Sequence, residues 1–226
     1  MFCLKSTHPT VAELRGITIK LTKMSFSFIF IGSTHGFIDD FLKQKEIIEA
    51  VKPEFVLTEE LENLTLDSKE KFNELFQKKE ISNMTSFNEV EKLVKLCFDK
   101  NIKLIGIDFH NFEFNEDSQK KIKTQTELTK DEEKNIKKII KLREKKHLNK
   151  ILEYQGKTSR PLVIIVGCWH LRKSSLLRKK LKNYKIIIPS DEKGNPLFSP
   201  KEVKEVKYTE ITSGDNKKSK QPKARP

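Results

Sequence analysis

The sequence is poor in several residue types, and each shortage excludes a class of protein. Its three cysteines, Cys3, Cys97 and Cys168, form no CxxC pair and cannot build a disulfide framework, which fits a reducing compartment. Eight glycines and eight prolines exclude a collagen-like or linker-like chain. The longest apolar runs, Phe28–Ile31 and Leu162–Val166, fall far short of the roughly 20 residues of a membrane-spanning helix. With no apolar block of signal-peptide length at the N-terminus, we expect a cytoplasmic protein without a membrane span.

Acidic residues are outnumbered, with 32 Asp and Glu against 45 Lys and Arg, and the net charge is +13. Residues 119–150 hold twelve basic and five acidic residues, and residues 215–226 hold five and one. Charge concentrated on one helical segment and a polar tail is typical of solvated surfaces. No nucleic-acid-binding motif accompanies it, so non-specific nucleic-acid contact stays the less favoured alternative.

Apolar segments alternate with amphipathic ones along the chain. We predict strands at residues 25–32, 54–60, 101–108, 161–167 and 184–189, with an edge strand at 201–211. We predict helices at residues 38–52, 67–79, 86–100, 117–155 and 171–181. This alternation favours an α/β fold, a single compact domain with a mainly parallel central sheet flanked by helices.

The domain is expected to span residues 25–212. Residues 1–24 would be an extension of uncertain order, and residues 213–226 a disordered Lys-rich tail. Met24 directly precedes the first apolar run, so Met1 and Met24 are both candidate starts.

Polar residues follow four of the predicted strands. They are Gly32-Ser33-Thr34-His35, Glu59-Glu60, Asp108 and Gly167-Cys168-Trp169-His170. In a parallel sheet, ligands bind beyond the carboxyl ends of the strands. Two histidines with carboxylates at one such edge are typical of a divalent-metal site or an acid–base site. Strand alternation does not decide whether Glu59 or Glu60 turns inward.

The first and last of these segments share one pattern: a buried strand, Gly, two residues, then His. Each glycine permits a sharp turn, and each histidine lies where helix N–H groups are unpaired. The plainer alternative is that both histidines cap helices or fill the rim of the sheet. Cys168 next to His170 could be a nucleophile, but a small buried thiol is the favoured interpretation. No Ser has a nucleophile-elbow context.

The long predicted helix carries an arginine on its apolar stripe. The stripe consists of Ile136, Ile139, Ile140, His147 and Ile151, and Arg143 lies near its centre. A buried arginine needs an anionic partner, either a carboxylate at the sheet edge or a group of the substrate. Alternatively, its aliphatic stem packs along the apolar surface and its guanidinium reaches water.

Together these residues resemble the TraB/PrgY–GumN–Tiki superfamily, which is related to erythromycin esterases and the haem-binding ChaN proteins. The resemblance covers residues 26–189. The two segments ending in His35 and His170 resemble the family's GxxH motifs, and Lys52-Pro53-Glu54 resembles its "KPD" entry into the second strand. Counted from that proline, the family's glutamate falls on Glu59. Ile107-Asp108 is similar to its "ID", although Phe109 stands where Arg is common, and Arg143-Glu144 resembles its Arg-Asp/Asn helix motif.

The resemblance implies a cleft lined by the two histidines, the glutamate and the arginine, and some family members are metal-dependent peptidases. We therefore expect a hydrolase of a peptide or ester bond. Its expected catalytic residues are His35, Glu59, Glu60, Arg143 and His170. The expected ligands of a divalent Mn, Co or Zn ion are His35, Glu59 and His170. The expected cofactor-binding residues beside them are Gly32, Gly167 and Asp108. Glu60 or Asp108 would be the base. The alternative is a non-catalytic module that binds haem or a peptide, with Tyr154 as the only tyrosine near the motifs to serve as a haem ligand.

Overall fold

A computed structural model describes residues 26–34, 40–78, 87–109, 129–198 and 206–215. Its strands are β1 (Phe28–Ser33), β2 (Phe55–Thr58), β3 (Thr65–Leu66), β4 (Lys103–Gly106), β5 (Leu162–Gly167), β6 (Tyr184–Ser190) and β7 (Lys207–Thr212). Within the described ranges they form one seven-stranded sheet in the order β3-β4-β2-β5-β1-β6-β7. The pairs among β4, β2, β5, β1 and β6 are parallel, whereas the edge strands β3 and β7 pair antiparallel. The predicted α/β fold with a mainly parallel sheet is confirmed.

Helices cover both faces of this sheet. They are α1 (Asp40–Val51), α2 (Lys69–Lys78), α3 (Phe87–Asp99), α4 (Lys130–Gln155) and α5 (Leu176–Lys180), with a 3-10 turn at Cys168–Leu171. Successive residues of a strand point to opposite faces, so Ile29 and Ile31 pack in the core under α1, α2 and α3. Phe28 and Phe30 pack in the second core, under α4 and α5. None of the helices in the described part of the chain is both long and apolar enough to cross a bilayer.

The structure corrects several predicted boundaries. The strand β3 was not predicted, because two residues show no periodicity, and it exists through its antiparallel pairing with Leu104 and Ile105. The helix predicted at residues 171–181 is wrong over its first part, because the 3-10 turn ends at Leu171 and α5 begins after Ser175, whose hydroxyl accepts from Arg178 N–H.

The helix predicted at residues 117–155 begins at Lys130. Thr129 is its N-cap, with the reciprocal bonds of a capping box to Glu132, and a capping box specifies the first turn of a helix. Residues 117–128 of that prediction lie outside the described residues, as do all of residues 1–24 and most of residues 213–226.

The helices around β5 pack on opposite faces of the sheet. Strand β5 lies between β1 and β2 and pairs with both. The helix α1, which follows β1, packs on one face of the sheet, whereas α4, which precedes β5, packs on the other. Ligands in open α/β sheets bind beyond the carboxyl ends of strands where the chain changes faces in this way.

Candidate metal centre

Buried charged side chains gather at the carboxyl edge of β2, β4 and β5. Glu59 directly follows β2, Asp108 follows β4, and His170 lies in the 3-10 turn after β5. The helix α4 adds Arg143, Glu144 and His147. All six are at most 9% exposed, and charged groups are buried to this extent only when they are paired.

Three of these residues form a compact group of potential metal ligands. One ligand atom each from Glu59, His147 and His170 lies within 4.8 Å of the other two. Nε2 of His170 is 3.5 Å from Oε2 of Glu59, and the two imidazole rings meet edge to face with centroids 5.0 Å apart. Imidazole nitrogens with a carboxylate oxygen are a common donor set for Zn²⁺ and similar ions, so this buried group could hold a metal ion.

Backbone geometry fixes the carboxylate of Glu59. Its Oε1 accepts a hydrogen bond of 2.8 Å from the N–H of Gly167, at the end of β5. That bond ties the end of β2 to the start of the second GxxH segment, so the glutamate and His170 keep their relative positions.

The buried guanidinium of Arg143 pairs with carboxylates. Its Nε donates to Oδ2 of Asp108 at 2.8 Å, its Nη2 donates to the same oxygen, and Nη2 lies 3.6 Å from Oε2 of Glu59. Oδ1 of Asp108 accepts from the N–H of Phe109. The carboxylates at the sheet edge are therefore the anionic partners of this arginine.

The same aspartate faces His147. Nε2 of His147 is 3.1 Å from Oδ2 of Asp108, although the N–H direction is too oblique for a good hydrogen bond. Burial alone would raise the pKa of Asp108, but contacts with His147 and Arg143 outweigh burial and hold that pKa below its usual value. Burial lowers the pKa of His147, and the nearby carboxylate only partly offsets this. Near neutral pH the aspartate is thus ionised and the imidazole neutral, the protonation state in which histidine binds metals.

A second carboxylate, Glu144, supports the other imidazole. Its Oε1 accepts from Nη1 of Arg172 at 2.6 Å, and its Oε2 accepts from the N–H of Leu176 at 2.8 Å. Oε1 is also 3.5 Å from Nδ1 of His170. The guanidinium of Arg172 lies 5.0 Å from the ring centroid of the exposed Trp169. These contacts attach the 3-10 turn, which contains His170, to α4.

The remaining predicted site residues are distributed as follows. Glu59 turns into the buried group, whereas Glu60 is half-buried. Gly32 lies under the second GxxH turn, where an added Cβ would be 2.9 Å from Sγ of Cys168. His35, expected to be both catalytic and a metal ligand, falls within residues 35–39, outside the described residues.

The surroundings of two other candidate residues do not suit the reactive roles considered for them. Cys168 is buried, and burial raises the pKa of its thiol, which does not suit a nucleophile. Tyr154 packs against Phe55 with ring centroids 5.1 Å apart. Phe55 begins β2, so this tyrosine lies at the opposite end of that strand from Glu59.

Sequence reasoning missed the role of His147. The residue was assigned to the apolar stripe of the helix, on which it does lie. The available signal was its spacing from Arg143, because residues four apart share one face of a helix. A second polar residue beside a buried arginine indicates a polar site on that face.

Comparisons with protein-family models, curated proteins and solved structures find no match to this chain. The resemblance to the TraB/PrgY–GumN–Tiki superfamily therefore stays a prediction from its motifs.

Proposed function

We propose that this protein is a metal-dependent hydrolase that cleaves a peptide or ester bond at the carboxyl edge of the sheet. The observation that supports the proposal is the buried group of Glu59, His147 and His170. The motif resemblance favours the same chemistry. Zn, Co or Mn are the proposed ions, because the donors mix imidazole nitrogen with carboxylate oxygen. His35, which comes two residues after the end of β1 in the sequence, is proposed as a further ligand.

The residues present fit such an ion. Nδ1 of His147 is buried without a hydrogen-bond partner among the described residues. A buried polar atom without a partner costs stability. A cation bound between Glu59, His147 and His170 would supply the missing interaction.

A divalent ion at this position would lower the pKa of a bound water and polarise the carbonyl of the substrate. The protein itself supplies positive charge through Arg143, whose guanidinium lies beside Glu59. We assign it to stabilising negative charge on the substrate. Asp108 is committed to Arg143 and His147, so the half-buried Glu60 is the proposed proton acceptor.

Metal content and turnover test this proposal together. The full-length protein should contain a stoichiometric transition metal by mass spectrometry and should hydrolyse members of a panel of peptides and esters. His147→Gln and His170→Asn should each lose the metal and the turnover. Glu133→Gln, a change on the exposed face of the same helix, serves as the matched control and should retain both.

Two results would overturn the proposal. Turnover that is unchanged in His147→Gln and His170→Asn would show that catalysis occurs elsewhere. A bound metal without turnover on any substrate would instead favour the binding module.

A further inference from the structure

Each imidazole of the metal group faces a second carboxylate, and an arginine holds each of these carboxylates. Nε2 of His147 faces Asp108 at 3.1 Å, and Asp108 accepts from Arg143. On the other side, Nδ1 of His170 faces Glu144 at 3.5 Å. Arg172 donates to that glutamate at 2.6 Å.

We infer that these two arginine-held carboxylates fix the tautomers of the histidines, so that Nδ1 of His147 and Nε2 of His170 are the metal-binding atoms. The inference rests on the proposed metal site. With an ion bound beside Glu59, the ring nitrogen that faces the second carboxylate carries the hydrogen, because an ionised carboxylate only accepts hydrogen bonds. The lone pair is then on the other nitrogen of the same ring, as in the carboxylate–histidine–metal arrangements of many metal sites.

The geometry around His170 supports this assignment. Its Nε2 lies 3.5 Å from Oε2 of Glu59. With the hydrogen on Nδ1, the lone pair on Nε2 faces this carboxylate oxygen, and a cation bound between them stabilises the arrangement, in addition to Arg143, whose Nη2 is 3.6 Å from the same oxygen. The alternative tautomer would turn a lone pair toward the buried carboxylate of Glu144, whose two oxygens are held in place by Arg172 and the N–H of Leu176.

Glu144 and Arg172 are therefore positioning residues. Arg172 and the N–H of Leu176 occupy both oxygens of Glu144, which leaves the carboxylate little freedom to rotate. Arg143 and Glu144 are adjacent on α4, yet they serve different imidazoles. One turn of that helix thus orients both histidines.

Nitrogen NMR tests the tautomers directly. A long-range proton–nitrogen correlation spectrum of the Zn²⁺-loaded, ¹⁵N-labelled full-length protein should show a hydrogen on Nδ1 of His170 and on Nε2 of His147. The single variants His147→Gln and His170→Asn assign the signals among the five histidines. A spectrum of the Zn²⁺-loaded protein with the hydrogen on Nε2 of His170 would overturn the inference.

A matched pair of variants tests the positioning role. Glu144→Gln keeps an acceptor for Leu176 but removes the charge, and it should weaken Zn²⁺ binding about 10- to 100-fold and abolish the Nδ1–H signal of His170. Glu153→Gln, on the same helix and paired with the exposed Lys150 and Lys157, should leave both unchanged. Zn²⁺ affinity is read from the fluorescence of Trp169, the single tryptophan.

The outcomes separate this inference from the proposed function. If Glu144→Gln binds Zn²⁺ as tightly as Glu153→Gln does, the positioning role is wrong and the metal site stands. If the wild-type protein binds no metal, the proposed function fails and the inference fails with it. If it binds Zn²⁺ but the hydrogen is on Nε2 of His170, only the inference fails, and this spectrum also decides the tautomers if Glu144→Gln does not fold.

Discussion

Arg143 donates two hydrogen bonds to one carboxylate oxygen of Asp108, which lies 35 residues earlier in the chain. Both side chains are buried, and the pair joins α4 to the end of β4. Removing one member of such a pair leaves an uncompensated buried charge, whereas removing both does not.

Asp108→Asn is therefore expected to lower the free energy of unfolding by about 3–5 kcal/mol. Urea denaturation followed by circular dichroism measures this. The double variant Asp108→Asn/Arg143→Met should lose less than the sum of the two single changes, because the two side chains interact directly. Strict additivity would contradict the prediction. Asp67→Asn, in an exposed pair with Lys71, is the control and should change stability little.

Because of the same aspartate, the free energy of unfolding should depend on pH in the acid range. The pKa of Asp108 is lower in the folded protein than its ordinary value of 3.8, so the unfolded chain binds the proton more tightly. Its contribution is fully present above the ordinary pKa and is lost as the pH falls through the lower folded-state pKa. Urea midpoints measured from about pH 6 to 2 should fall more steeply for the wild type than for Asp108→Asn. Equal slopes would show that Asp108 does not carry the effect.

An added metal should stabilise the fold if it binds only the folded state. At a free concentration of 100 times Kd, Zn²⁺ is expected to add about 2.7 kcal/mol to the free energy of unfolding. Thermal melts over a series of ZnCl2 concentrations measure the gain, and a chelator should reverse it. His147→Gln should show no such gain, since it lacks one of the ligands. A gain of the same size in that variant would place the bound ion elsewhere.

A side chain at position 32 is expected to lower the stability of the fold. An added Cβ would lie 2.9 Å from Sγ of Cys168 and 3.1 Å from Cγ1 of Ile188, so Gly32→Ala should cost about 1–3 kcal/mol through overpacking. The double variant Gly32→Ala/Cys168→Ala removes the closest atom and should recover part of the loss in urea denaturation.

Gly106 provides the contrasting case. An added Cβ there would meet the backbone carbonyls of Glu62, Leu61 and Leu64, which no side-chain substitution removes. Gly106→Ala should therefore have no comparable second-site rescue. Failure of Cys168→Ala to rescue Gly32→Ala would indicate that the neighbouring backbone, and not the thiol, sets the limit at Gly32.

The central strands were predictable because each is a short, continuous apolar run, which is what a strand covered by helices on both faces requires. The sequence of β5 is such a run, and all of its residues are buried. The strand β3 was not predictable in the same way. Thr65 and Leu66 are a strand only because β4 lies beside them, and that partner is distant in sequence.

The candidate site was predictable only in part. The positions of Glu59 and His170 after predicted strands placed them in the candidate site. The position of Arg143 on an apolar stripe predicted that it is buried beside an anionic partner. The inward turn of Glu59 follows from its bond to Gly167 on a different strand, which alternation along β2 does not reveal. The spacing of His147 from Arg143 indicates a shared polar face of the helix, but it does not reveal that Glu59 and His170 come from other elements to meet His147 there.

The position of β5 has a consequence for protein synthesis. Both strands that pair with β1, namely β5 and β6, come later in the chain. A ribosome must therefore release nearly all of the domain before β1 acquires its neighbours, and His170 emerges directly after β5. An unfinished chain cannot assemble the complete group of Glu59, His147 and His170, so the step that closes the sheet during biosynthesis is also the step that brings these three side chains together.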